Sequence, residues 1–357
     1  MHNFRNLHAA DALRKAGIAN PFRLAKIIKE SIAFLRLDLS GLTVLTEAAS
    51  GPYVVTPIIA SLAGASHVLA LTRDSQYASA RAVIDQTRAL EALCDTPIEA
   101  SIYTQRSTEL FAQADVVTNL GFVRPIDSCA IAAMKPDAVI PLMCEAWELR
   151  SGDVDLKACN SKEIKVGGTN EDYPGLDIFS YSAWLCLKML FDAQVEVHQC
   201  KISIVGADKF GRTIYGLFSQ MGIDVKLLEH LRGPEVLEIL ADLDALVIAD
   251  YTRTDVIIGE DGDIEPSVFS RYFPALSIIH FAGVIDAQKL FEMGVTIYPY
   301  NTLESHRMGL TLGALSPIPV IKLHTAGLKV AELLIHEGSA DYQLFCKLLD
   351  PVFGPSG

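Results

Sequence analysis

Residues 201–230, KISIVGADKFGRTIYGLFSQMGIDVKLLEH, constrain the chain more than any other stretch. An apolar β-rich run (201–206) enters a glycine-bounded turn, a helical run over 211–221 follows, and a second β-rich run, DVKLLE (224–229), completes the unit. A strand returned through a helix to another strand is a βαβ unit with parallel strands. The turn Gly206-Ala207-Asp208-Lys209-Phe210-Gly211 has the outline of the dinucleotide fingerprint G-x-G-x-x-G. There the first glycine makes the tight turn and the second admits the pyrophosphate to the backbone. The third lets helix and strand pack closely.

Asp208 stands in the middle place, where a carboxylate adds bulk and repels phosphate. Aspartate is also a favoured helix cap. Glu229 ends the next strand, 23 residues after Gly206, near the ~20 expected of the acid that grips a ribose. Two readings follow. In one, Gly206, Asp208, Lys209, Phe210, Gly211 and Glu229, with Tyr251 and Thr252 after the following strand, hold NAD. Glu229 then favours NAD over NADP, because a carboxylate repels a 2′-phosphate. In the other, the unit keeps the shape and binds no dinucleotide.

The same alternation runs through most of the chain. Before the unit lie β-rich runs at 42–46, 67–71, 98–103, 115–120 and 138–143, with a further candidate at 162–170. Helical patterns such as YVVTPIIASLAG and SQYASARAVIDQTRALEAL separate them. After it come ALVIAD (245–250), ALSIIHF (275–281) and VTIYPY (295–300), with helices around 234–241, 286–293 and 324–337. Strand–helix alternation predicts parallel doubly wound sheets. The expected fold is α/β, with two Rossmann-like domains. We divide the chain into an N-terminal helical segment (1–38), a Rossmann-like substrate domain (39–176), a hinge helix (177–197), a dinucleotide-binding domain (198–322) and a C-terminal helix returning to the first domain (323–357).

Composition removes several classes. At 357 residues, half of them apolar, the chain has material for two cores. A formal charge of −13 opposes a phosphate backbone, so no nucleic-acid partner is expected. No apolar run reaches the ~18–20 residues of a membrane span, and the N-terminus lacks a signal-peptide pattern. A cytoplasmic protein is expected. The seven cysteines form no C-x-x-C and the nine histidines no H-x-x-x-H, so neither a disulfide framework nor a metal site is expected.

The order of segments over roughly 135–340 resembles the D-2-hydroxyacid dehydrogenase superfamily, whose relatives include adenosylhomocysteinase and alanine dehydrogenase. VDLKACNSKEIKVGGTNEDYPGLDIFSYSAWLCLKML is similar to that family's run into its hinge helix, SIIHFAGVIDAQKL to its N-x-A-R-G-x-x-V-D strand, and YPYNTLESHRMGLTL to its P-H-x-x-x-x-T loop. The resemblance implies a substrate domain, a nicotinamide domain, an active cleft between them, and a homodimer. It also implies an NAD(P)-dependent oxidoreductase acting on a small polar or carboxylate substrate. The chain departs from the pattern at two catalytic positions. No arginine precedes Gly283, and Tyr300 follows Pro299 where the family has histidine. The implied catalytic set is therefore non-standard.

Ligands of open parallel sheets sit beyond the carboxyl ends of the strands. That rule selects His280, Arg253 and Glu145 as candidate catalytic residues, and Ser50, Gly51, Asn119, Asn170, Glu171 and Tyr300 as candidate substrate contacts. Histidine titrates near working pH, so His280 is either an acid/base or a core histidine. Arg253 either anchors an anion or lies in an exposed loop. Glu145 and Glu171 are either bases or ordinary polar partners. VLTEAASGPYVVTP followed by HVLALTRDS also resembles, loosely, the first motif of S-adenosylmethionine-dependent methyltransferases. An adenosyl-ligand transferase and a catalytically degenerate binding protein are the alternative functions.

Overall fold

The computed structural model describes residues 2–336 and 346–348. These divide into two units, one of residues 1–176 and 316–357, the other of 177–315. The rest of the expected C-terminal segment lies outside the described residues.

The first unit opens with α1 (His2–Lys15) and α2 (Pro21–Leu35), as the N-terminal pattern predicts. Asn20 caps α2 by accepting the Arg23 N–H, and Pro21 begins it. Then follow β1 (Thr43–Glu47), α3 (Val55–Leu62), β2 (His67–Leu71), α4 (Ala80–Cys94), β3 (Ser101–Tyr103) and α5 (Thr108–Gln113). The series continues with β4 (Val116–Val117), α6 (Ser128–Ala133), β5 (Val139–Pro141), α7 (Leu156–Ser161) and β6 (Lys165–Thr169). The parallel strands lie in the order 3-2-1-4-5-6. That is one of the two common doubly wound orders, and it reverses between β1 and β4.

The second unit begins with α8 (Ser180–Asp192), which lies inside the stretch expected as a hinge helix. It continues with β7 (Lys201–Val205), α9 (Lys209–Gln220), β8 (Asp224–Leu228), α10 (Glu235–Ala241), β9 (Ala245–Ala249), β10 (Val256–Ile258) and α11 (Pro266–Tyr272). It ends with β11 (Ser277–Ala282), β12 (Val284–Ile285), α12 (Ala287–Glu292) and β13 (Thr296–Tyr298). Its five-stranded sheet runs β8-β7-β9-β11-β13, the other doubly wound order, and reverses between β7 and β9. β10 and β12 form a separate parallel pair.

The chain then supplies the first unit with α13 (Pro317–Ile335) and β14 (Cys346–Leu348), which pairs antiparallel with β6. α13 begins seven residues before the predicted 324, because SPIPV reads as a loop in sequence. In place, the Ser316 hydroxyl caps the helix by accepting the Ile318 N–H, and Pro317 occupies the first turn, where a missing N–H costs nothing.

Periodicity explains which faces are buried. In α9, Phe210, Gly211, Ile214 and Phe218 recur every three or four residues and are buried together. Strand β9 is buried along its whole length, as a parallel strand covered on both faces must be. Among the described residues, no helix is long and apolar enough to cross a membrane. The six cysteines with described side chains are free thiols, and no cluster of metal-ligating side chains occurs among the described residues.

One core residue should make the first unit acid-sensitive. His324 on α13 is buried, with its Nδ1 2.6 Å from the Thr56 hydroxyl of α3. Burial pushes its pKa down to about 3. The folded state thus keeps the ring neutral, while the unfolded chain protonates below about 6.5. The stabilisation is complete above that pH and lost as pH falls through the interval. Urea unfolding should show wild type losing roughly 3 kcal/mol more than His324→Gln between about pH 7 and pH 4. Parallel losses in the two proteins would refute this.

Candidate functional site

The glycine turn of the second unit keeps two requirements of the fingerprint. Gly206 has φ +121°, and a Cβ there would lie 2.5 Å from the Ala249 carbonyl oxygen. A Cβ on Gly211 would lie 1.8 Å from the Gly206 carbonyl oxygen, so only glycine lets α9 approach β7 this closely. The middle position differs. Asp208 caps α9, its Oδ1 accepting the N–H groups of Phe210 (2.9 Å) and Gly211 (3.0 Å). Its Oδ2 reaches across the strand-order reversal to the N–H groups of Tyr251 (2.7 Å) and Thr252 (3.3 Å), after β9. Burial pushes its pKa up, opposed by the Gly211 and Tyr251 N–H groups, with neighbouring Asp250 adding to the rise.

The aromatic rings close around this clamp. Phe210 is buried against Phe179, Tyr251 and Phe281, at ring-centroid distances of 5.0, 4.9 and 5.8 Å. Tyr251 also meets His306 edge-on. The Lys209 ammonium lies 3.6 Å from the centroid of the Phe179 ring. Glu229 is exposed just beyond β8.

A nicotinamide dinucleotide is the cofactor implied by the resemblance. Its pyrophosphate needs the N–H groups at the start of α9 and an open approach at the middle of the turn. Asp208 takes two of those donors, the Phe210 and Gly211 N–H groups, and adds a negative charge there. The residues present do not fit that group.

The other candidates of this unit have partners of their own. His280 is fully buried in β11, its Nε2 2.8 Å from the Gly283 carbonyl oxygen. Its Nδ1 makes no hydrogen bond of good geometry, and burial pushes its pKa down against the Gly283 and Asn301 backbone. Met308 pairs with Ala282, and the Gly309 N–H donates to Phe281, so the 300–310 loop covers the end of this strand. Arg253 binds Asp263 and Asp255 through both ends of its guanidinium. Burial would raise Asp263. Hydrogen bonds from Arg253, the Leu231 N–H and Arg232 outweigh it and hold the carboxyl well below the usual range. Tyr300 is exposed, donates to Gln288 and packs on Phe291.

In the first unit, buried polar groups gather at the carboxyl ends of the strands. Thr46 and Glu47 close β1, Thr72 follows β2, Thr118 and Asn119 follow β4, Glu145 follows β5, and Thr169 and Glu171 close the β6 end. Glu47 extends across the reversal to the Phe122 N–H (3.1 Å). A Cβ on Gly121 would come within 3.1 Å of its Oε2, so the glycine leaves the carboxylate room. Burial pushes the Glu47 pKa up, against the Phe122 N–H, Arg124 and the Gly121 N–H. The Asn119 Oδ1 accepts the Met143 N–H (2.8 Å), and its amide nitrogen faces Cys144 Sγ. Burial, with Glu148 and Glu171, raises the Cys144 thiol well above its ordinary value. The Glu145 Oε1 accepts the Glu171 N–H (3.1 Å). Asn170 turns its Oδ1 to the Asp172 N–H.

Ser50 precedes a short 3-10 turn (Gly51–Val54) without a side-chain capping bond. The Gly51 N–H donates to the Gln86 Oε1 (3.2 Å). Gln86 Nε2 and Thr72 Oγ1 are buried without partners. The structure therefore groups Asn119, Glu145 and Glu171 at neighbouring strand ends, with Ser50 and Gly51 at the β1 turn. A further buried carboxylate at this edge is Glu47, at the end of β1. Its signal in the sequence is an acid closing an apolar strand, the same signal that singled out Glu229.

No family model and no curated protein sequence matches the chain. Among solved structures it is similar to a dipicolinate synthase chain from Bacillus halodurans, at 14% identity and a TM-score of 0.48, covering 84% of this chain and 98% of that one. It is similar to a D-lactate dehydrogenase with NAD+ from Lactobacillus jensenii, at 12% identity and a TM-score of 0.47, with coverage of 84% and 98%. It is also similar to a D-isomer specific 2-hydroxyacid dehydrogenase from Lactobacillus delbrueckii ssp. bulgaricus, at 11% identity and a TM-score of 0.44, with coverage of 68% and 90%. Dehydrogenases of the kind named by the segment order thus stand among its structural neighbours, all at low identity. The fold itself is read from the chain's own strand orders.

The Arg253 network has a direct consequence. Arg253→Met leaves the fully buried Asp263 carboxylate with Arg232 and one N–H. Chemical denaturation should register a loss of about 2–3 kcal/mol, near the lower bound for breaking a buried pair. A loss below about 0.5 kcal/mol would show the network to be superficial.

Proposed function

We propose that the chain is a small-molecule enzyme of dehydrogenase-like construction whose ligand lies at the carboxyl edge of the first sheet. The observation that carries this reading is the set of buried polar groups, Glu47 among them, at the carboxyl ends of neighbouring strands. Buried polar groups are costly and gather where a protein uses them. An edge carrying Glu47, Glu145 and Glu171 favours a ligand with amine or hydroxyl donors. Of the small polar and carboxylate substrates implied by the resemblance, it selects the former. Glu47, with its raised pKa, takes the role of proton donor and acceptor to such a group. Asn119 orients the ligand.

Mass spectrometry under native conditions should find a small amine- or hydroxyl-bearing molecule carried through purification. Its affinity should fall at least tenfold in Glu47→Gln, measured by calorimetry. Unchanged affinity in the folded variant removes Glu47 from the site. The same residue gives a stability test. Its folded pKa is raised, so its contribution is complete below the unfolded carboxylate pKa and lost as pH rises through the folded value. Wild type should therefore lose stability relative to Glu47→Gln as pH is raised from about 4 to about 8. The opposite slope would contradict the assigned protonation.

An NAD(P)-dependent oxidoreductase is the second reading. The close packing at Gly206 and Gly211 and the exposed Glu229 support it, and the Asp208 clamp opposes it. Titration with NADH and NADPH, followed by fluorescence transfer, tests it. Binding with NADH preferred upholds the reading, and no binding to millimolar concentration by folded protein ends it. The 3-2-1-4-5-6 order of the first sheet also suits an adenosyl ligand. Calorimetric silence with S-adenosylmethionine would remove the transferase alternative. A homodimer belongs to the same proposal, and light scattering reads it directly.

A further inference from the structure

We infer that Asp208 fills the anion seat at the switch point of the second unit with an internal carboxylate, and that it is what closes this unit to a dinucleotide's pyrophosphate. The switch point of an open parallel sheet is where the strand order reverses and crossovers leave on opposite faces. Backbone N–H groups from the two flanking loops converge there, and an anion normally satisfies them.

In the second unit one carboxylate satisfies both sides. Asp208 accepts two N–H groups from the start of α9 and two from the loop after β9. It is held across the crevice as a bound anion would be, but it is covalently part of the chain. A pyrophosphate entering this place would have to displace four hydrogen bonds. It would also meet the negative charge of Asp250, which is buried beside the clamp and accepts the Arg253 N–H. The nearby Lys209 ammonium is placed over the Phe179 ring.

In the first unit a longer side chain makes a one-sided contact of the same kind. Glu47, from the end of β1, reaches the Phe122 N–H after β4, with Gly121 leaving room for the carboxylate. The two units share neither sequence at these turns nor strand order. The common element is an acid that closes the gap between the first strand and its neighbour across the reversal. This inference stands apart from the ligand proposed for the first unit. Its readout is a phosphate response at residues 206–211, which Glu47→Gln leaves alone.

The test compares wild type, Asp208→Gly and Asp208→Asn, as full chains, with inorganic pyrophosphate and with NADH. Calorimetry gives affinity, and backbone amide NMR shifts at 207–212 give location. Wild type should show no shift at 207–212 with either probe. Asp208→Gly should bind pyrophosphate at least tenfold more tightly than wild type, with shifts confined to 206–212 and 250–252. Asp208→Asn keeps an acceptor for the α9 N–H groups without the charge, and should gain at least threefold. If the glycine variant does not fold, the asparagine variant carries the test alone. Wild-type binding of NADH or pyrophosphate at 207–212 overturns the inference. So does a folded Asp208→Asn that binds neither probe more tightly than wild type.

Discussion

Parallel strands must be covered on both faces, and nearly everything else in this protein follows from that. A parallel strand can return only through a crossover, and the crossover must bury an apolar helix face against the sheet. Val247 and Ile248 in β9 and Leu45 in β1 are inaccessible for this reason. Because apolar residues fill both faces, much of the first unit's buried polar chemistry lies at the carboxyl edge, with Gln86, Glu91 and His324 buried on helices. At the edge the strands stop and their loops diverge. Glu47, Asn119, Glu145 and Glu171 are not scattered through the first unit but follow β1, β4, β5 and β6.

At that edge the backbone itself is the main donor. Loops leaving a sheet carry N–H groups that no ladder satisfies, and a buried unsatisfied N–H costs about as much as a lost hydrogen bond. A protein that holds an anionic cofactor can leave such donors to the ligand. Here Asp208 and Glu47 use side-chain carboxylates for the purpose, and both carry a burial penalty seen in their raised pKa values. The Arg253–Asp263 pair solves a different problem. It ties the acidic 259–266 turn to the loop after β9, so the arginine's fork serves the fold.

Element order was legible because period and punctuation agree. HVLAL and KVGGT became strands at the places their β-rich runs indicate, and Pro21 marks the start of α2 by its chemistry, whereas the pattern read from Ser75 becomes helix only at Ala80. Boundaries were less legible where local signals compete. DVVTNL contains only a two-residue strand, Val116–Val117; the Thr118 N–H still donates to Leu45, and beyond it the Asn119 side chain turns to the Met143 N–H at the sheet edge. The start of α13 at Pro317 was obscured by two prolines, which sit harmlessly where the helix needs no N–H donors. In the candidate site, residue types were visible and partners were not. His280 looked like a titrating group, yet its Nε2 faces the Gly283 carbonyl, and Arg253 finds its carboxylates two and ten residues away.

The sequence by itself determined the α/β class, the two series of strands and helices, and the need for glycine at 206 and 211. These depend on short-range sterics and on periodic burial, which the residue order carries directly. Only the tertiary structure decided that the strand orders reverse between β1 and β4 and between β7 and β9. It also decided what Asp208 does. From the sequence, Asp208 was a cap or an obstacle to phosphate. Its second oxygen bonds Tyr251, 43 residues on, and that contact exists only because β9 is laid beside β7. Bonds between strands adjacent in space but distant in sequence are set by sheet order, and no local pattern encodes them.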